Sequence, residues 1–273
     1  MEVILDKVNN LYSQPEIILH SGFATEGFSL PDRDRLQLLE VTPDNVAAIC
    51  EEYGNIVINL LPSATNNYLL LDSNSKFKTR FIIEFSGSNN LAIVGKDLSC
   101  SGNVSFKNDD GVFILGGETK QQCKLSIKLL GKGSIFFFGR HSSANGLTCI
   151  MNGENTKVII GDDCMFARDV WLRNSDMHSI FDLESGDWLN PASDIIINPH
   201  VWVGQDSLVL KNAEIGFGSI IGAKSLVNKK IPKCSLAAGV PAKKIKDNVS
   251  WDRKIQPRQN KIDYVRDFSK KLA

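Results

Sequence analysis

The sequence predicts an all-β solenoid of short strands wound into stacked triangular coils, with a small α/β part before it and an amphipathic helix after it. Three observations predict this class. An aliphatic or Phe side chain returns every six residues from Ile160 onward, β-type clusters recur at close intervals upstream, and both ends of the chain have a different texture.

At the N-terminal end, Thr42-Pro43-Asp44 leads into a run from Asn45 to Tyr53 that closes on Gly54, and Ile56 to Leu61 follow as an apolar run. Small polar residues before an apolar-periodic stretch and glycine after it mark a capped helix, so a helix and then a strand are expected here. From Phe81 to Ile160 the β-type clusters are FIIEF, LAIV, VSF, VFIL, LSIKLL, SIFFF, LTCI and KVII, separated by Gly, Asn, Asp and Ser. They recur roughly every ten residues, a spacing a β-sandwich also uses; continuity with the regular coils downstream favours irregular solenoid turns.

The six-residue rule runs through Ile160, Phe166 and Leu172, is interrupted, and resumes at Ile197, Val203, Val209, Ile215, Ile221 and Val227. Four residues later the side chain is small or β-branched (Cys164, Val170, Val201, Ser207, Ala213, Ser219, Ser225), and Gly follows the aliphatic residue at 161, 204, 216 and 222. Each hexad reads as a short strand plus a turn, with the aliphatic side chain inside the prism and Gly permitting a tight corner. Three hexads close an 18-residue coil, giving coils at 160–177, 197–214 and 215–232. After Pro257, Ile262, Val265, Phe268 and Leu272 recur at helical spacing with charges between them, which predicts a terminal amphipathic helix packed on the solenoid or on a neighbouring subunit. The expected organisation is a small N-terminal α/β subdomain over 1–65, a β-helix domain over 66–246 with an extruded loop at 179–194, and a helical tail over 247–273.

Of the 273 residues, 31 are Lys or Arg and 31 are Asp or Glu. Zero net charge removes the electrostatic footprint of a general nucleic-acid binder. No apolar run approaches the roughly 18 to 20 residues that span a bilayer, and the start lacks a basic stretch followed by an apolar one, so a cytoplasmic protein without a transmembrane segment is expected. The six cysteines are scattered without a C-x-x-C pair, which suits reduced thiols acting as small apolar residues. Charge is segregated all the same: the segment from Lys224 to Lys254 has nine basic and two acidic residues, and the segment from Met151 to His200 has three basic and nine acidic ones.

The hexads resemble those of the left-handed parallel β-helix acyltransferases, the hexapeptide-repeat family, firmly from about residue 155 to 246. Three segments sharpen the resemblance: Asp176-Met177-His178-Ser179-Ile180 before a loop, His200-Val201-Trp202-Val203-Gly204, and Ala238-Gly239-Val240-Pro241-Ala242-Lys243. The D-x-H-S-I segment, a Trp 24 residues after its His, and a later Asn248-x-x-Trp251 look most like the branch that O-acetylates bacterial surface polysaccharides of capsule or lipopolysaccharide, polysialic acid included. The resemblance implies acetyl-CoA as donor, no metal, a catalytic pair at His178 and Trp202, and homotrimers with active sites between subunits. It also implies a carbohydrate acceptor.

The residues carry an argument of their own. Acetyl transfer to a sugar hydroxyl needs a base of near-neutral pKa, and imidazole beside an extruded loop supplies one at His178; a solvated loop histidine is the plain alternative. Asp176, two residues earlier in an extended strand, is placed to orient that imidazole or simply to cap a turn. Trp202 stands at an outward corner, as a wall for the donor's pantetheine arm or acyl group or as a subunit contact. Lys229, Lys230 and Lys243 suit the phosphates of CoA, and Gly204, Gly222, Ala223, Gly239, Pro241 and Ala242 would admit its chain against the backbone. Arg168 and Arg173 are the candidates for an acceptor carboxylate, although the acidic surroundings sit awkwardly with a strongly anionic substrate.

Three rivals remain. A zinc enzyme on this scaffold would need paired histidines that His20, His141, His178 and His200 do not offer. N-acetylation of an amino sugar nucleotide shares donor, coil and base. A non-catalytic solenoid scaffold predicts neither the loop at His178 nor a basic last coil.

Overall fold

Residues 2–14, 27–73, 75, 77–119 and 122–272 are described by a computed structural model, and His20 lies outside them. Three helices, α1 (Glu2–Ser13), α2 (Val46–Tyr53) and α3 (Gln259–Lys271), decorate a left-handed parallel β-helix with three faces. Face A stacks β1 (Leu36–Val41), β3 (Asn67–Asp72), β5 (Leu91–Val94), β7 (Val112–Leu115), β9 (Ile135–Phe138), β12 (Lys157–Ile160), β15 (Ile195–Ile197) and β18 (Glu214–Ile215). Face B stacks β2 (Ile56–Leu60), β4 (Phe81–Phe85), β6 (Cys100–Phe106), β8 (Cys123–Leu129), β11 (Leu147–Met151), β14 (Val170–Arg173), β17 (Leu208–Leu210) and β20 (Leu226–Val227). Face C starts later, with β10 (Ser143–Ala144), β13 (Met165–Phe166), β16 (Trp202–Val203), β19 (Ile220–Ile221), β21 (Ser235–Gly239) and β22 (Ala242–Asp247).

The coils come in two sizes. Bonded partners on successive coils lie 21 to 23 residues apart upstream and 18 apart at the regular end. The longer coils enclose a wider section, which Phe side chains fill: Phe113 stacks on Phe136 at 5.7 Å between centroids and Phe85 on Phe106 at 5.0 Å. In the 18-residue coils Ile, Leu and Val suffice, and all nine hexad positions from Ile160 to Val227 are buried. Dense packing of this kind makes each of these residues worth several kcal/mol; truncating a buried Phe to Ala costs about 3–5 kcal/mol.

The glycines after the hexad aliphatics do a different job from the one expected of them. Gly161, Gly204 and Gly216 are absent from the positive-φ residues, and the left-handed corner conformation falls two residues later, on Asp163, Asp206 and Gly218. A Cβ at Gly204 would stand 2.5 Å from the Ala223 nitrogen, and one at Gly216 2.4 Å from the Lys233 nitrogen. These glycines let neighbouring coils stack closely, while short polar side chains that tolerate the left-handed region turn most corners.

The N-terminal part is continuous with the solenoid. Ile56 to Leu60 pair in parallel register with Phe81 to Phe85, ahead of the boundary expected at residue 66. The outer side of face A is also apolar, presenting Leu70, Ile93, Ile114, Phe137 and Ile159, and α1 covers it with Ile4, Val8 and Leu11. Strands buried on both sides read as unbroken apolar runs, as LAIV and VFIL do. At the other end α3 lays Val265 and Phe268 on Phe217, with the Phe217 and Phe268 rings 4.4 Å apart.

Candidate active site

The interruption of the hexads is a hairpin extruded at the corner between faces B and A. Trp171 pairs directly with Leu208 of the next coil, so the excursion leaves the register intact. Its root is fixed by Asn174, which is fully buried: Asn174 Nδ2 donates to Thr156 Oγ1 (2.8 Å), its Oδ1 accepts from the Asn152 nitrogen (2.8 Å), and its carbonyl accepts from the Ser193 nitrogen (3.0 Å). Beyond the root, Phe181 and Trp188 form an antiparallel bridge and the Leu189 nitrogen donates to the Ile180 carbonyl at 2.8 Å.

His178 sits at the base of this hairpin, exposed, and among the described residues its imidazole has no hydrogen-bond or ionic partner. The chain on either side of it is held firmly. The Asn190 amide fills its hydrogen-bonding capacity: Nδ2 donates to Asp176 Oδ2 (2.8 Å) and to the His178 carbonyl (2.9 Å), while Oδ1 accepts from the Ile180 nitrogen (2.6 Å) and Trp188 Nε1 (2.9 Å). Lys211, one coil on, donates to Asp176 Oδ2 (2.6 Å) and to the carbonyls of Asn190 (3.0 Å) and Pro191 (3.2 Å). Hydrogen bonds from Lys211 and Asn190 hold the Asp176 carboxyl below its ordinary value. Asp176 thus anchors the segment and makes no hydrogen bond to the imidazole among the described residues.

Trp202 lies elsewhere. It is on the flat of face C, in register with Met165 and Ile220, rather than at a corner, and is 37% exposed. Gly204, Gly222 and Ala223 follow at the corner between faces C and B, where the Gly222 carbonyl accepts from Ser207 Oγ (3.1 Å) and Ser225 Oγ (2.6 Å). Gly239 (φ 106°), Val240, Pro241 and Ala242 make the turn joining β21 to β22, with Ala242 buried and Pro241 exposed. Lys229 and Lys230 emerge from the B/A corner below Lys211. The expected site residues therefore form two groups on either side of face B, with His178 and Trp202 not in contact within one chain.

Much of the charge contrast seen in the sequence is absorbed locally. Lys230 pairs with Glu214, Lys224 with Asp206, Lys244 with Asp247 and Arg253 with Asp163. Among the described residues Lys229, Lys243 and Lys246 have no acidic partner. On the acidic side, Asp162 accepts from Ser29 Oγ (2.6 Å) and from the Arg140 nitrogen (2.9 Å), Asp194 caps the Lys157 nitrogen (2.7 Å), and Asp182 caps the hairpin turn. Arg173 lies over the Trp171 ring at 5.5 Å, and neither it nor Arg168 meets a carboxylate among the described residues. The cysteines are all free thiols; burial pushes Cys149 and Cys164 up, so they stay protonated in the core.

Sequence reasoning missed Asn190, Lys211 and a second cluster at the A/C corner. There the tail runs back down the coils: the Val249 nitrogen donates to the Cys234 carbonyl (2.9 Å), Ser250 Oγ to the Gly218 carbonyl (2.8 Å), Trp251 Nε1 to the His200 carbonyl (2.8 Å) and Arg253 Nη2 to the Cys164 carbonyl (2.9 Å). His200, fully buried, stacks on Trp251 with centroids 4.4 Å apart, and its Nδ1 lies 3.1 Å from Asp163 Oδ2. Burial opposes the charge of Asp163, yet hydrogen bonds from His200 and Lys261 hold its carboxyl well below the usual range. The available signal was a histidine directly before Val201, in the inward-facing part of a hexad.

Fold and site together define a class: a parallel β-helix acyltransferase whose histidine stands on a loop extruded from the coil. No protein-family model matches the sequence. A polysialic acid O-acetyltransferase of Neisseria meningitidis is 33% identical over 171 residues, 62% of this chain and 78% of that protein. A polysialic acid O-acetyltransferase of Escherichia coli O1:K1 / APEC is 40% identical over 122 residues, 45% of this chain and only 39% of that longer protein. The crystal structure of NeuO, a polysialic-acid-specific acetyltransferase, superposes with a TM-score of 0.68 at 31% identity, over 80% of this chain and 99% of that one. The chain belongs to the hexapeptide-repeat acetyltransferase family and is most like its polysialic acid O-acetyltransferases.

Proposed function

We propose that this enzyme moves an acetyl group from acetyl-CoA to a hydroxyl of a bacterial surface polysaccharide, with sialic acid polymers the leading acceptor, and that it works in the cytoplasm as a homotrimer. The observation that carries this reading is the free imidazole of His178, held on a clamped segment at a coil corner in a chain of this family.

His178 takes the proton of the acceptor hydroxyl as the oxygen attacks the thioester carbon. The oxygen–carbon bond forms, the carbon–sulfur bond breaks, and the imidazolium returns its proton to the departing thiolate. No acyl-enzyme is required, and Cys149 and Cys164, buried and kept protonated, offer no nucleophile. Acetyl-CoA supplies the activated acetyl group. Lys229, Lys243 and Lys246, without acidic partners among the described residues, are suited to its phosphates, and Trp202 to its pantetheine arm or acyl group.

The separation of His178 from Trp202 within one chain favours a site completed by a neighbouring subunit, His178 of one facing the Trp202 wall of the next. The half-buried Leu208, Leu210 and Leu226 and the exposed Trp171 on the outside of face B suit such a contact. An anionic acceptor is compatible with the site because most nearby carboxylates are already bonded, leaving Arg168 and Arg173 to meet sugar carboxylates.

The test is thiol release from acetyl-CoA with polysialic acid as acceptor. His178→Ala should lower the acceptor-dependent rate by 10² or more with an unchanged melting temperature. A His178→Ala enzyme as fast as the parent, or acetyl-protein trapped after rapid quench with donor alone, would overturn the mechanism. Sedimentation should give three times the chain mass.

A further inference from the structure

We propose that Trp251, on the tail, is a positioning residue for the donor site: it backs the Trp202 indole and fixes the plane that the indole presents to the pantetheine arm. This rests on the reading of Trp202 as the donor wall.

Trp202 projects from a two-residue strand on the outer side of face C, between Met165 and Ile220, and keeps 37% of its surface exposed. The tail brings Trp251 against it, with ring centroids 6.2 Å apart and planes at 51°, a tilted contact of the kind aromatic pairs favour.

Trp251 itself is fixed on every side. Its ring lies nearly parallel to that of His200, at 10°, and its indole N–H donates to the His200 carbonyl. The Arg253 guanidinium stands 5.5 Å from the ring centroid while Arg253 Nη1 donates to Ser143 Oγ (2.6 Å) and Nη2 to the carbonyls of His141 (3.1 Å) and Cys164 (2.9 Å). Asp163 gathers His200, Arg253 and Lys261 of α3 around one carboxylate. An indole this constrained transmits its position to its neighbour. The long, charged connection from β22 to α3 thereby has a reason to be threaded along the A/C corner instead of leaving the solenoid.

The test uses the full chain, CoA as probe, calorimetry for affinity and near-UV circular dichroism for the indole pair. Trp251→Ala should weaken CoA binding about tenfold with the number of sites per chain unchanged, and Trp251→Phe, which keeps a ring in place, should weaken it about threefold or less. Trp202→Ala and Trp251→Ala should each abolish the same coupled indole signal. A merely structural role would lower the number of competent sites and leave the affinity of the remainder unaltered; that result, or Trp251→Ala binding CoA as tightly as the parent, overturns the proposal. If Trp202→Ala also leaves CoA affinity unchanged, the donor-wall reading falls with it; if Trp202→Ala weakens binding and Trp251→Ala does not, only the positioning role is lost.

Discussion

At the residue scale the site is a contrast between a free imidazole and a saturated amide. Asn190 makes four hydrogen bonds at once, two of them to the chain on either side of His178, and Lys211 ties the same cluster to the following coil. Asn190→Ala should therefore lower turnover at least tenfold while the melting temperature stays within about 2 °C, since the hairpin contributes nothing to the solenoid interior; turnover and a thermal scan on one preparation check it. Asp176→Asn keeps an acceptor for Asn190 but removes the negative charge opposite Lys211, and because Asp176 is exposed its cost in stability should stay below about 1 kcal/mol in a urea titration. His178 was legible as a candidate because it interrupts a strict period beside a loop. Asn190 was not, because an asparagine in a polar loop looks like any other until its four partners are placed around it.

At the element scale the hairpin and the tail are separable additions to a periodic core. Asn174 and Ser193 are already hydrogen bonded, so replacing residues 175–192 by two glycines should leave strand content and melting temperature close to the parent and remove acetyl transfer entirely. The tail behaves differently, since its anchor is charged. Asp163 has a depressed folded-state pKa, so its contribution is complete above the unfolded carboxylate value of about 3.9 and declines as pH falls below it. Urea midpoints measured from pH 7 to pH 3 should fall on acidification, and Asp163→Asn should lose about 3 kcal/mol at pH 7 and show a shallower pH dependence. The tail helix was readable from Val265 and Phe268 at helical spacing. Its route along the A/C corner was not, because hydrogen bonds to main-chain carbonyls leave no pattern in the donor sequence.

At the scale of the whole molecule, most strands from Phe81 to Val227 were legible to within a residue or two, because each cluster of β-branched and aromatic residues fills one side of a coil; β6 begins at Cys100, four residues ahead of its cluster, and the short β10 had none. The change from wide to narrow coils was visible only as a blurring of the hexad, and the Phe-rich filling that causes it needed the structure. Helix α1 was not legible, although Ile4, Val8 and Leu11 fall on one face, because the apolar surface that face needs, the outer side of face A, exists only once the coils are stacked. Val8→Asp places a charge against buried Leu and Ile side chains, and should lower the unfolding midpoint by several degrees while leaving the far-UV strand signal of the folded state unchanged.

One further consequence belongs to the two strands that run against the rest. A stack of parallel coils presents at each end the same unsatisfied backbone edge that it used to add its last coil, and nothing in an 18-residue repeat tells it to stop. Here β1 runs antiparallel to β3 on face A at one end, and β22 runs antiparallel to β21 on face C at the other. Each reverses the strand direction on one face of its end, so the parallel register of the coils is not continued there. On those two faces the reversed strands act against end-to-end addition of another copy, which would otherwise extend the stack towards a fibre.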